Sequence, residues 1–105
     1  MTPHYRQGDV LIRRIDSINK INPMEREQGR VILAHGEVTG HAHAITDKAV
    51  RQYRTKAPGV TALEIRQAIA MLRHEEHGTI EIPKGTYEVI RQREYTPTEI
   101  INVAD

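Results

Sequence analysis

The chain must build its interior without phenylalanine or tryptophan. What remains for a core is aliphatic side chains and four tyrosines. Ile, Val and Thr together account for 29 of the 105 residues. Such side chains are stiff at χ1 and pack better on a pleated surface than around a helix. A chain of this length supports one modest core, two layers deep at most. The expectation is a single mostly-β domain over residues 1–105, a small barrel or sandwich.

Alternation places the strands. "GDVLIRRID" (residues 8–16) puts Val10 and Ile12 on one face and Leu11 on the other. "SINKINPMEREQG" (17–29) is polar, holds Pro23 and Gly29, and reads as a long loop. "RVILAHGEVTGHAHAI" (30–45) reads as two strands around His35 and Gly36. "KAVRQYRT" (48–55) reads as another, ended by the breaker "KAPG" (56–59). "VTALEIRQAIAMLRHEEHG" (60–78) supports two readings. Ala62, Ile65, Ile69 and Leu72 recur at helical spacing with Gly78 as a C-cap, which predicts a helix over about 61–77 and an α+β fold. The other reading is two short strands, with Leu63 and Ile65 on the first and the second leading into His74. In "GTIEIPKGTYEVIRQREY" (78–95), Ile80 and Ile82 alternate before Pro83-Lys84-Gly85, and Tyr87 and Val89 after it. This predicts a β-hairpin over 79–90 with Pro83 setting φ in the turn. The final "TPTEIINVAD" has too little pattern to place.

Composition narrows the function classes. There is no cysteine, so disulfides and thiolate metal sites are excluded, which fits a reducing compartment. The first residues lack the apolar stretch of a signal peptide. No apolar run approaches the roughly eighteen residues of a membrane span. The expectation is a soluble, cytoplasmic protein with no membrane partner. Residues 1–60 carry ten basic and six acidic side chains, residues 61–105 five and eight. A nucleic-acid binder of this size usually has a stronger basic excess, so the arginines of "RRIDSINK" and "VIRQREY" read as solvated strand faces. "GEVTGH" lacks the lysine and Ser/Thr of a phosphate-binding loop, and Ser17, the one serine, sits in a polar loop.

Chemistry concentrates in the six histidines. "GEVTGHAHAITD" (36–47) sets His41 and His43 two residues apart. On a strand they share a face, with Cα atoms about 6.5 Å apart. Two imidazoles so placed can converge on one ion at roughly 2.0–2.1 Å. Gly40, Ala42 and Ala44 leave the surroundings uncrowded. "HEEH" (74–77) adds His74, Glu75, Glu76 and His77, all usual ligands of first-row metals. Its spacing departs from the H-E-x-x-H and H-x-x-E-H of helical metalloproteases. On a helix His74 and His77 are neighbours. On a strand they face opposite ways unless a bulge intervenes, and His74 shares a face with Glu76. His41 and His43 are therefore read as primary ligands, with His74 or His77 as a third. Glu75, Glu76, Glu88 or Asp47 would supply a carboxylate. His35 and His4 are weaker ligand candidates, each of which also reads as an ordinary loop residue.

These residues resemble the two motifs of the cupins, small metal-binding β-barrels, which run G-x5-H-x-H-x3-4-E-x6-G and G-x5-P-x-G-x2-H-x3-N. Gly36, His41, His43 and Asp47 read G-x4-H-x-H-x3-D, and Gly78, Pro83, Gly85 and Glu88 read G-x4-P-x-G-x2-E. Each leading spacer is one residue shorter, and the glycine expected six residues beyond the acid is missing. Asp47 stands for the glutamate, Glu88 for the last histidine and Gln92 for the asparagine. The resemblance implies a small barrel with a ligand position at Glu88. The blocks "GEVTGHAH", "HEEH" and "RQREY", in this order, are also similar to a group of small uncharacterised bacterial proteins, a resemblance that carries no activity.

The sequence thus predicts a small domain binding a divalent metal (Zn, Fe, Mn or Ni), acting as an enzyme on a small molecule or as a sensor of one. Three histidines with an open position polarise a bound water or substrate oxygen. Two histidines and a carboxylate suit Fe(II). The contrasting class is a non-enzymatic module that binds a protein or nucleic acid, with structural or exposed histidines. A homo-oligomer is compatible with either.

Overall fold

The computed structural model describes residues 4–36 and 38–91. These residues hold seven strands, all paired antiparallel, and no helix, so the mostly-β expectation holds. β1 (His4–Gln7) and β2 (Val10–Arg14) form a hairpin with Gln7 opposite Val10. Gly8 opens its two-residue turn at φ 60°, the positive value that glycine supplies in tight hairpins. β3 (Val31–His35) pairs with β4 (Ala42–Ile45). β5 (Val50–Arg54), β6 (Val60–Leu72) and β7 (Ile80–Arg91) follow. The order in the larger sheet is β1-β2-β7-β6-β5, and β3-β4 form the smaller one. The two meet where β6 ends: Ala44 and Arg73 exchange two backbone hydrogen bonds of 2.9 Å each. Val10, Ile12, Leu63, Leu72, Ile82 and Tyr87, all fully buried, form the centre of the core. The free side of β5 is blunted by the long loop, whose Met24 N–H donates to Gln52 O and whose Asn22 O accepts from Arg54 N–H.

Two expectations fail for one physical reason. Residues 61–77 are not helical, because β6 runs unbroken from Val60 to Leu72. Residues 79–90 are not a hairpin, because β7 passes straight through Pro83-Lys84-Gly85. Ile65 pairs with Gly85 and Ile69 with Pro83, so four steps along β6 face only two along β7. This bulge shifts the phase of both strands. The buried set moves from Leu63 and Ile65 to Ala70 and Leu72 on β6, and from Tyr87 and Val89 to Ile82 on β7. On β6 the break imitates helical spacing. On β7 it imitates a turn. Ile80 and Ile82 pair not with the residues that follow them but with Leu72 and Ala70 of β6. Proline, which cannot donate to a ladder, is tolerated at such a bulge.

Gly85 is required at this break. It sits at φ 155°, and a Cβ there would collide with the Arg14 guanidinium. Arg14 crosses at this point to donate to Lys84 O at 2.7 Å, with its guanidinium 5.6 Å from the Tyr87 ring centroid. The segment "TPTEIINVAD" and Gln92 lie outside the described residues. Among the described residues no helix is long and apolar enough to cross a membrane.

Gly85→Ala is expected to lower stability by about 1 kcal/mol or more in urea unfolding. Gly78→Ala faces open space and should stay within about 0.5 kcal/mol of wild type. Equal, small effects at both positions would contradict the crossing of Arg14 over the bulge.

Candidate metal centre

Residues 73–79 connect β6 to β7 and carry the whole of "HEEH". The backbone pairing of Arg73 with Ala44 lays this connection against β4. Its two acids then fasten it. Glu75 Oε1 accepts the Ala42 N–H at 2.9 Å, and Glu76 Oε2 meets His41 Nδ1 at 2.6 Å. The Ala42 amide holds the Glu75 carboxyl below its ordinary range. Both acids serve as clamps between the two histidine segments.

Three imidazoles meet beside this clamp. The His43 and His74 ring centroids lie 4.2 Å apart, His74 and His77 4.6 Å, and His43 and His77 5.7 Å. One nitrogen from each ring lies within 4.8 Å of the others. A tetrahedral ion with nitrogens at about 2.0–2.1 Å holds them roughly 3.4 Å apart. Rotation of the exposed His77 and half-buried His74 rings is the available adjustment. His41 lies outside the set. Its ring stands edge-on to His74 at 6.0 Å, with Nδ1 held by Glu76.

His43 is the buried anchor, 2% exposed. Its Nδ1 lies 2.8 Å from Gln7 Oε1. The Gln7 amide is oriented by its own nitrogen, which donates to Leu72 O at 3.0 Å and Gly78 O at 2.9 Å. Flipping it would set an oxygen against two carbonyls. Gln7 Oε1 is therefore an acceptor, His43 Nδ1 carries the proton, and His43 Nε2 presents its lone pair. Burial, followed by the neighbouring His74, lowers the His43 pKa to about 4 against the pull of Asp9. The ring is neutral at pH 7, the form that binds metals.

The other two rings differ. His74 Nδ1 accepts the Glu76 N–H at 2.9 Å, so the neutral ring carries its proton on Nε2. Coordination through Nδ1 would exchange that hydrogen bond for a metal bond. His77 Nε2 packs on the β1–β2 turn, where a Cβ on Gly8 would come within 2.6 Å of it and within 3.2 Å of His43 Cε1. Gly8 is thus needed both for its φ and for this close approach. The next residue, Asp9, brings Oδ1 to 3.6 Å from His43 Nε2 while Oδ2 accepts from Arg91 at 2.9 Å. Burial opposes the Asp9 charge, but Arg91 keeps its carboxyl below the ordinary range.

The remaining expected ligands are engaged elsewhere. Asp47 Oδ2 accepts the Met71 N–H at 2.8 Å. Glu88 pairs with Arg13, its cross-strand neighbour on β2. His35 lies 3.2 Å from Glu27, and His4 is exposed opposite Arg13. Sequence reasoning missed Gln7, Gly8 and Asp9. The "QGD" stretch carries a turn signal, but nothing in it points to histidines more than thirty residues away.

The geometry defines a class: an all-β domain with an imidazole cluster between a strand and a neighbouring hairpin loop. The chain belongs to the family DUF8820, described as a domain of unknown function, whose model matches residues 6–92. That span contains every residue of the cluster and of its Gln7–Asp9 support. No curated protein and no solved structure matches the chain significantly.

In chelator-containing buffer His43 should make stability fall with pH. Its pKa drops from about 6.5 in the unfolded chain to about 4 when folded, so the unfolded state takes up the proton first. The contribution is complete above about pH 6.5 and is lost as pH falls toward about 4. Urea unfolding across this window should give a shallower dependence for His43→Gln. Parallel curves for the two proteins would contradict the assignment.

Proposed function

We propose that this domain binds one divalent first-row metal ion through His43, His74 and His77, and acts on, or senses, a small molecule there. The observation that carries the reading is the convergence of three ring nitrogens, from β4 and from the β6–β7 connection, to within 4.8 Å. The Gln7–His43 bond supports it. Metal-ligating histidines usually donate their second N–H to a carbonyl or carboxylate. Zn, Fe and Ni suit such imidazoles, and recruitment of the Asp9 carboxylate would extend the range to Mn. An ion with three protein ligands keeps a position for water or substrate, whose oxygen it polarises.

A second reading rests on two observations. The Glu76 N–H already uses His74 Nδ1, and the His43 and His77 rings lie within 16° of parallel. Both suit a stacked structural cluster in a non-enzymatic binding module.

Calorimetric titration and metal analysis of untagged protein separate the two. The metal reading predicts about one ion per chain and a melting temperature raised by the bound ion. His43→Ala, and His74→Ala with His77→Ala, should abolish both effects. Gln7→Met should weaken binding about 10–100-fold, and His35→Ala should change nothing. Wild type that takes up none of Zn²⁺, Fe²⁺, Mn²⁺ or Ni²⁺, with unchanged melting, would favour the structural cluster.

A further inference from the structure

We propose that the groove on the other face of β4 binds a small organic oxyanion, a carboxylate or phosphate on a short apolar body, between Arg30 and Arg73. Alternation along β4 turns His43 and Ile45 to one side and Ala42 and Ala44 to the other. The two alanines, with Thr46 beyond them, line an open groove of about 360 Å³. That lies at the small end of ligand sites, which run from about 300 to 1,000 Å³. The alanine methyls offer an apolar floor, and Thr46 and Thr79 add hydroxyls to the lining.

The charge of the groove identifies the ligand class. Arg30 and Arg73 both line it. Among the described residues neither guanidinium has a hydrogen-bond or ion-pair partner, whereas Arg13, Arg66 and Arg91 each face a carboxylate. Arg73 sits directly opposite Ala44 in the bridge that joins the sheets, so its Cα is fixed beside the apolar floor. The acid of the lining, Glu75, is already engaged by the Ala42 N–H. Two arginines without a partner on one lining can present planar forks of donors, which match carboxylate and phosphate oxygens. His74 belongs both to the lining and to the imidazole cluster, so a bound anion would lie next to the ion. As a substrate subsite the groove rests on the metal reading; as an anion site it does not.

The test uses the chelator-treated full chain, with amide signals followed by NMR at constant ionic strength. The probes are butyrate, butyl phosphate and butylammonium over the millimolar range. Saturable shifts at Ala42, Ala44 and Thr79 are expected with butyrate or butyl phosphate and not with butylammonium. The tighter of the two anions tells carboxylate from phosphate. Arg30→Gln/Arg73→Gln, with its folded spectrum retained, should lose about tenfold or more in affinity, the equivalent of a charge-assisted hydrogen bond. Absence of a saturable shift with either anion, equal shifts with butylammonium, or unchanged affinity in the double variant would each overturn the proposal. Arginine-dependent anion binding in a protein that takes up no metal would uphold the groove and defeat the metal reading alone. Metal uptake without anion binding would do the reverse.

Discussion

One buried amide holds the site in register. Gln7, 3% exposed, joins three segments that lie far apart in the chain. Its nitrogen closes the β6–β7 connection by bonding Leu72 O at one end and Gly78 O at the other. Its oxygen receives the His43 N–H from β4. Leaving a buried donor or acceptor unpaired costs about 1–3 kcal/mol. The loop conformation, the His43 tautomer and the seating of β4 against the loop therefore stand or fall together. Gly8 and Asp9, next in the chain, lie against His77 and beside His43 Nε2.

The long β6–β7 ribbon delivers the other half of the site. At one end it packs Leu63 and Tyr87 within the five-stranded sheet, and at the other it buries Leu72 and Ile82. The bulge between these ends lets one pair of strands serve both. Past the bulge, Arg73 leaves the ribbon to pair with Ala44, and the histidines of the connection arrive over β4. Arg14, Gly85 and Tyr87 form the joint at which the ribbon changes phase. The site is thus a consequence of the fold's longest element, with Glu75 and Glu76 latching its end in place.

Much of this was legible in the residues, and the failures have physical causes. Val10 and Ile12 marked β2, which buries one face in a single phase, and the turn residues at His35-Gly36 marked the break between β3 and β4. The phase break in β6 and β7 was not legible as such, since a bulge spanning two strands leaves the same trace as a helix in one and a turn in the other. The pairing of the "HAH" and "HEEH" segments was foreseen as a convergence of ligand types. The membership was not, because an ideal strand puts His41 beside His43. In the fold β4 begins only at Ala42, and His41 is still in the turn, with Gly40 at φ 89° and the His41 N–H donating to Val38 O. Its ring diverges to Glu76. The Gln7 support was invisible because a glutamine on a short edge strand carries no signal of what it will face across the fold.

The central claim is that His43, His74 and His77, and not His41, share one ion. X-ray absorption on the zinc-loaded protein tests it most directly. The account predicts three imidazole nitrogens at about 2.0–2.1 Å, a count that His41→Ala leaves unchanged, whereas His43→Ala should hold no zinc. An oxygen-only shell, or a three-imidazole shell that loses a ring in His41→Ala, would contradict it.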